Sequence, residues 1–160
     1  MHLLSLSRIG FLSLLSVLFF SCGPDYLYEN TQTLESEEWS YADSISFEIT
    51  IADTSHLYEL VVEVEHATVY PRQNLYTRIS TDFPDGTRLS KPVSLELADK
   101  TGFWYGDCNS DWCSIDIPIQ TNAFFNQAGT YRFTLEQFTR IDPLPGVRKV
   151  GFAVRDLGLR

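Results

Sequence analysis

Apolar and polar residues alternate along most of this chain, and that alternation restricts the fold more than any other feature of the sequence. Successive side chains of a β-strand point to opposite faces, so a period of two predicts strands with one buried face and one wet face. The alternating positions are Ile45, Phe47, Ile49 and Ile51; Tyr58, Leu60, Val62 and Val64; Leu75, Thr77 and Ile79; Val93, Leu95 and Leu97; Cys113, Ile115, Ile117 and Ile119; Tyr131, Phe133 and Leu135; and Val150, Phe152 and Val154.

Turn-forming residues separate these segments, as at Tyr70-Pro71, 84–86, 128–129 and 143–146. Together they predict an all-β fold, a two-layer antiparallel β-sandwich of jelly-roll type with about eight strands and little helix. A single closed barrel is the alternative architecture. An aromatic content of 14% suits pleated, half-buried surfaces. One short turn, over residues 122–127, is the only helical candidate.

The N-terminus has the form of a secretion signal. Arg8 precedes an apolar run, Ile9–Phe20, which is shorter than the ~20 residues that a membrane-spanning helix needs. Ser21 and Cys22 follow it and resemble a bacterial lipobox. The pattern predicts cleavage between Ser21 and Cys22 and attachment of acyl chains, such as palmitate, to Cys22. An ordinary secretory signal with a structural Cys22 is the alternative.

The predicted organisation therefore has three parts. Residues 1–21 form a signal peptide that is removed, 22–38 a lipidated N-terminus with a flexible tether, and 39–160 a single β-sandwich domain. The tether is assigned because residues 23–38 show no apolar period. Two or three acyl chains on one cysteine would make the membrane association of this domain durable.

The charge of the chain excludes one class of partner. The formal net charge is −9, and Arg8 is the one charged residue of 1–21, so the mature chain has a net charge of −10. Phosphate backbones and anionic lipid surfaces repel such a domain. We therefore expect no nucleic-acid partner, and we expect acyl chains rather than charge to hold the protein at a membrane.

Cys108 and Cys113 are expected to form a disulfide, because an exported protein folds in an oxidising compartment. A redox pair would favour Cys-x-x-Cys in an α/β context, and a zinc site would need more ligands. Asp107, Asn109 and Asp111 have the opening spacing of a calcium loop, but Trp112 occupies the position that requires glycine. A solvated acidic loop is the simpler interpretation, so no metal is expected.

No catalytic motif is recognisable in the sequence. The mature chain has two histidines, His56 and His66, and it lacks the common hydrolase, metalloprotease and phosphate-loop patterns. We therefore expect no catalytic residues, no cofactor and no enzyme activity. Trp104, Tyr105 and Trp112 lie close together in the sequence and are candidates for contact with a partner protein or a sugar. For Trp104, burial at the end of the core is the favoured alternative.

Four stretches of the chain, in order, resemble the gliding-motility lipoprotein GldH family. They are Tyr70-Pro71 with Asn74-Leu75-Tyr76; Leu97-Ala98-Asp99 with Gly102, Trp104 and Gly106; Gly129 with Tyr131 and Phe133; and Leu144-Pro145-Gly146-Val147 with Val150-Gly151. The resemblance extends from about residue 39 to residue 154. It implies a cell-envelope component needed for surface gliding, with no cofactor and no catalytic residue.

Two functions follow as hypotheses. The first is a non-enzymatic lipoprotein that contacts other envelope or gliding-machinery proteins. The second is a carbohydrate-binding lipoprotein that serves glycan uptake. The outer membrane is the expected location, and the sequence leaves open whether the domain faces the periplasm or the cell surface.

Overall fold

The computed structural model describes residues 26–160. The predicted cleavage and lipidation residues, Ser21 and Cys22, lie outside the described residues. Among residues 26–160, no helix has the length and hydropathy needed to cross a membrane.

The described chain is almost entirely β-structure, as the alternation predicts. Its strands are β1 Tyr26–Thr33, β2 Glu38–Trp39, β3 Ile45–Ile51, β4 His56–Ala67, β5 Asn74–Asp82, β6 Arg88–Glu96, β7 Asp107–Cys108, β8 Trp112–Ala123, β9 Gly129–Gln137, β10 Leu144–Pro145 and β11 Val147–Leu159. One 3-10 turn, Glu35–Glu37, precedes β2.

These strands form two packed antiparallel sheets, which confirms the predicted sandwich. The first sheet has five strands in the order β1-β11-β4-β8-β7, and the second has four in the order β3-β9-β5-β6. The short strands β10 and β2 pair separately. Each sheet contributes its apolar face to a common core, where the Phe152 ring of the first sheet lies 4.6 Å from that of Phe133 and 5.9 Å from that of Phe47.

The expectation of a flexible tether over residues 22–38 is wrong for residues 26–38. Residues 26–33 form β1, which pairs with β11 from Tyr26 opposite Arg155 to Thr33 opposite Lys149. This strand shows no clear apolar period because it lies at the edge of the sheet, and Tyr28 is its main contact with the core. The folded domain therefore includes residues 26–38, and residues 22–25 lie outside the described part of the chain.

The helical candidate over residues 122–127 is also wrong, since this described segment contains no helix. Residues 122 and 123 end β8, and the chain then crosses toward β9. Phe125 is buried there, with its ring 5.3 Å from that of Tyr58 and 4.7 Å from that of Tyr131. Packing of Phe125 against these two rings accompanies an irregular connection in place of the expected helical turn.

The register of the first sheet gives it two distinct ends. Strand β4 runs from His56 to Ala67, and at about 3.3 Å per residue it is roughly 40 Å long. The starts of β1 and β4 meet the ends of β8 and β11 at one end, which we call the anchor end. At the other end, the loop end, Ala67 lies opposite Trp112 and His66 lies opposite Val147.

Candidate interaction surface

Three segments meet at the loop end and bring together the side chains that the sequence singled out. We define the loop-end surface as Thr68–Val69, Phe103–Tyr105 and Ser110–Trp112. Thr68 joins the three segments, because its carbonyl accepts a hydrogen bond from Trp104 Nε1 at 3.2 Å and its N–H donates to the Asp111 carbonyl at 2.9 Å. The surface is therefore built by long-range contacts and is not a single loop.

The loop that precedes β7 is held in place by its own polar groups. The Asp99 carboxylate accepts hydrogen bonds from the Thr101 hydroxyl at 2.6 Å and from the Phe103 N–H at 2.9 Å. The bond from Thr101 is the main reason that the pKa of Asp99 lies below its usual value. The Tyr105 N–H donates to the Leu97 carbonyl at 2.8 Å. This arrangement leaves the Phe103 side chain 79% exposed.

The hairpin between β7 and β8 is closed by the predicted disulfide between Cys108 and Cys113. Asn109 completes the turn, because its side-chain oxygen accepts from the backbone N–H groups of Asp111 and Trp112 at 2.9 and 2.8 Å. That oxygen would have been a calcium ligand in the alternative interpretation. In residues 26–160, no group of three or more His, Cys, Asp or Glu residues is placed to hold a metal ion.

The structure places Trp104 and Trp112 on opposite faces of the first sheet. The Trp104 ring lies 4.5 Å from the ring of the fully buried His66 and packs against the core. Trp112 is the register partner of Ala67, the neighbour of His66, so it points to the outer face. The two indoles therefore do not form one stacking platform for a sugar, and Trp104 closes the end of the core.

Trp112 is part of a charged network on the outer face. The guanidinium carbon of Arg148 lies 4.2 Å from the centre of a Trp112 ring, and Arg148 donates to the Glu65 carboxylate at 2.7 Å. Lys149 Nζ lies 3.2 Å from the same carboxylate. The hydrogen bond from Arg148 is the largest cause of the low pKa of Glu65, about 2. The contact with Arg148 thus holds the half-buried Trp112 ring in a fixed position.

An open groove of about 550 Å³ runs beside Trp112. It is lined by apolar side chains, including Val69, Trp112 and Pro145, and by the carboxylates of Glu37, Glu38 and Asp111. Val69 is 86% exposed at the tip of its turn. The groove therefore combines apolar side chains with carboxylates, which suits a protein segment that carries apolar and basic side chains.

Tyr105 faces a second open groove, of about 540 Å³, along β8. Glu96, Asp107, Asp116 and Pro118 are among the residues that line it. Tyr105 is 46% exposed, so of the three predicted contact residues it is the most accessible.

Sequence reasoning missed Val69 and the part played by Glu37 and Glu38. It assigned the two glutamates to the tether, and Val69 belongs to no alternating segment. A β-branched apolar residue between Thr68 and Tyr70-Pro71, in a turn, was the available signal for Val69. For the glutamates there was no local signal, since pairing of β2 with β10 brings them to the groove.

The two histidines have structural partners. His66 Nδ1 donates to the Ala67 carbonyl at 3.0 Å, and burial lowers the pKa of His66, so its ring is neutral at pH 7. His56 Nδ1 lies 2.7 Å from the Asp156 carboxylate, and that hydrogen bond raises the pKa of His56. His66 sits under Trp104 at the loop end and His56 sits at the anchor end, so the structure does not bring them together.

Comparison with known proteins adds a family to this geometry. A family model described as GldH lipoprotein matches residues 26–154. The chain is 24% identical over 145 residues to the "Gliding motility lipoprotein GldH homolog" of Christiangramia forsetii, covering 86% of this chain and 88% of that protein. It is 22% identical over 152 residues to the "Gliding motility lipoprotein GldH" of Flavobacterium johnsoniae, covering 91% and 94%.

Among solved structures, a family 35 carbohydrate binding module from Clostridium thermocellum matches part of this chain. The match covers 77% of this chain and 97% of the module, with 16% identity and a TM-score of 0.32. That score is too low to establish a shared fold.

Proposed function

The chain belongs to the GldH lipoprotein family, and on that premise we propose that it is a lipid-anchored, non-enzymatic envelope protein that supports gliding motility through contacts with other envelope proteins. The family match over residues 26–154 is the observation that carries the proposal, because it spans nearly all of the described domain. Both curated relatives are named gliding motility lipoproteins. Names of this kind imply a membrane-anchored envelope protein.

The proposed anchor is Cys22, freed by cleavage after Ser21. Acyl chains supply about 0.8 kcal/mol per buried methylene group, so two or three chains on one cysteine hold the protein durably. The outer membrane is our proposal for the membrane that receives them. Mass spectrometry of the membrane fraction should find an N-terminal Cys22 that carries acyl mass, and density-gradient fractions should place that species with outer-membrane markers.

The proposed partner contact is the loop-end surface, whose exposed apolar side chains are Val69, Phe103 and Tyr105, together with the half-buried ring of Trp112. Exposed aromatic and aliphatic side chains at the centre of an interface, with charges at its rim, are the usual source of affinity between proteins. The carboxylates that border the groove would select a partner segment with basic residues. This role requires no catalysis by the protein.

The test is complementation of a deletion strain of the bacterium that carries the gene. We expect colony spreading to be lost on deletion and restored by the wild-type gene, but not by Cys22→Ala or by Val69→Ser combined with Phe103→Ser. Leu89→Ser is the matched control, because Leu89 is also a large exposed apolar residue and lies outside the loop-end surface.

Immunoblots must show equal amounts of each variant in the envelope, apart from Cys22→Ala, whose anchoring is altered. A deletion strain that spreads normally would contradict the motility role. Normal spreading with Val69→Ser and Phe103→Ser would contradict the partner surface alone.

A further inference from the structure

We propose that the anchor end of the sandwich rests on the bilayer surface through an apolar rim of Leu27, Phe124, Leu157 and Leu159, so that the loop end points away from the membrane. This inference rests on the proposed acylation of Cys22. It adds to that proposal a second membrane contact, made by the folded domain itself.

The first argument is the length of chain between the lipid and the fold. Gly23, Pro24 and Asp25 are the residues between Cys22 and Tyr26. A fully extended chain spans at most about 3.6 Å per residue, so Tyr26 lies within roughly 14 Å of the acylated cysteine. That distance is about a third of the roughly 40 Å length of β4. The end of the sandwich that holds Tyr26 must therefore stay next to the lipid headgroups.

Tyr26 is fixed to the domain and does not extend this reach. The Tyr26 hydroxyl accepts a hydrogen bond from Arg155 Nη2 at 3.0 Å. The same guanidinium donates to Glu59 and to Asp116, each at 3.0 Å. Arg155 thereby ties the start of β1 to β4 and β8, and the chain leaves the sheet at this end.

The second argument is what this end exposes. The rim residues are large apolar side chains with exposed fractions of 44% for Leu27, 60% for Phe124, 48% for Leu157 and 76% for Leu159. The register places them at the same end of the sheet, because Leu27 lies at the β-bulge between Tyr26 and Tyr28, which pair with the last part of β11, while Leu159 pairs with His56 at the start of β4. Phe124 directly follows β8 and lies beneath the guanidinium of Arg160 at 5.5 Å.

Two of these leucines lie at a β-bulge near the end of β11. The pairing of β11 with β4 shifts register between Asp156 and Leu159. Gly158 has a φ of +89°, and its N–H donates to the Asp156 carboxylate at 2.8 Å. Leu157 lies within this bulge and Leu159 at its far end, and both side chains are exposed at the end of β11.

The charges at this end are of both signs, so apolar burial and not charge would hold it at a headgroup surface. The carboxylates of Asp53 and Asp156 both contact His56, at 3.7 and 2.7 Å. Arg160 provides a basic group beside Phe124. Apolar side chains flanked by basic and aromatic groups are the composition of interfacial membrane contacts.

The experiment measures which end of the anchored protein meets lipid. Full-length, acylated protein is reconstituted in vesicles of phosphatidylethanolamine and phosphatidylglycerol. A nitroxide is placed at Leu157→Cys or, as the matched control, at Val69→Cys, the exposed aliphatic residue of the loop end. Collision rates with oxygen, which concentrates in lipid, and with a water-soluble nickel chelate present on both sides of the membrane are then compared by paramagnetic resonance.

We expect the ratio of oxygen to nickel collisions to be several-fold higher at Leu157→Cys than at Val69→Cys. Adding Leu27→Ser and Leu159→Ser to the Leu157→Cys protein should lower its ratio at least twofold. This comparison separates membrane contact made by the apolar rim from insertion of the nitroxide label itself. Equal ratios at the two ends, or a ratio at Leu157→Cys that does not change when the serines are added, would overturn the inference. Spectral broadening at Leu157→Cys that grows with the protein-to-lipid ratio would assign the rim to a second copy of the chain, and would also overturn it.

Mass spectrometry of the same samples separates this inference from the proposal on which it rests. Acylated protein with a water-exposed label at Leu157→Cys contradicts the rim contact and leaves the lipid anchor standing. Protein without acyl mass on Cys22 contradicts the anchor, and the rim contact with it.

Discussion

At the scale of single residues, Gly106 decides whether the loop-end surface can form. It has a φ of +78°, and a Cβ there would overlap the Ser114 carbonyl oxygen and touch Ile115 of β8. The loop that carries Trp104 and Tyr105 can approach β8 only because this position lacks a side chain.

Gly106→Ala should therefore cost about 3 kcal/mol in the free energy of unfolding, from left-handed backbone strain together with displacement of β8. Gly86→Ala is the matched control, because Gly86 has a φ of +83° with nothing within 4 Å of the added Cβ. It should cost about 1 kcal/mol from backbone strain alone. Urea unfolding followed by tryptophan fluorescence measures both, and equal losses would contradict the close approach of the loop to β8.

Glu63 is the residue through which pH should act most visibly. It is half-buried on the outer face of the first sheet, in register with Gly151 on one side and Asp116 on the other. Burial, followed by the charges of Asp116 and Glu29, raises the pKa of Glu63 from 4.5 to about 7. The folded protein therefore holds a proton that the unfolded chain releases, and this contribution to stability is lost as the pH rises from about 4.5 through about 7.

Glu63→Gln removes that titration while keeping the size of the side chain. We expect the variant to be about 1 kcal/mol more stable than the wild type at pH 8, a value reduced for partial solvent screening, and equally stable near pH 4.5. Thermal unfolding at the two pH values measures the difference. A constant effect of Glu63→Gln across this range would contradict the raised pKa.

At the scale of elements, β1 changes how the protein is joined to its membrane. An edge strand with one main core contact was indistinguishable in sequence from a tether, yet it pairs with β11 over its length. Because β1 is structured, the chain between the proposed lipid and the domain is short, and the anchor end cannot move far from the bilayer.

Hydrogen exchange tests this strand directly. Amides of residues 26–33 that bond to β11 should exchange on the order of 100-fold more slowly than that of Lys100, in the exposed loop before Gly102, because they open only when β1 detaches. Exchange of every β1 amide at the rate of Lys100 would restore the flexible tether and remove the distance argument for the membrane contact.

At the scale of the whole molecule, the two ends of the sandwich have different chemistry. The anchor end carries an aliphatic rim next to the short connection to Cys22, while the loop end carries aromatic side chains and acidic grooves roughly 40 Å away along β4. A single core joins the two sheets between them, with the stacked rings of Phe47, Phe133 and Phe152 at its centre. The proposed function needs this separation, because a surface for partner proteins must stand clear of the membrane.

Much of this architecture could be predicted from the sequence, because alternation is a local property. The alternating residues of β3 all face the core of the domain, as their spacing requires: Ile45, Phe47, Ile49 and Ile51. The disulfide between Cys108 and Cys113 was predictable for the same reason, since a few residues separate the two cysteines in one hairpin. The family resemblance also came from the sequence alone.

Only the tertiary structure decided where the interaction residues lie and which segments are ordered. Trp104 and Trp112 are close in sequence, but packing on His66 and pairing with Ala67 separate them across a sheet. Tyr28 becomes part of the sandwich only because β11 and Phe47 are there to receive it. The sequence by itself determined the strands that alternate, through the two-residue period of the backbone. The edge strand β1 and the neighbours of each strand were decided by contacts between residues far apart in the chain, which no local pattern encodes.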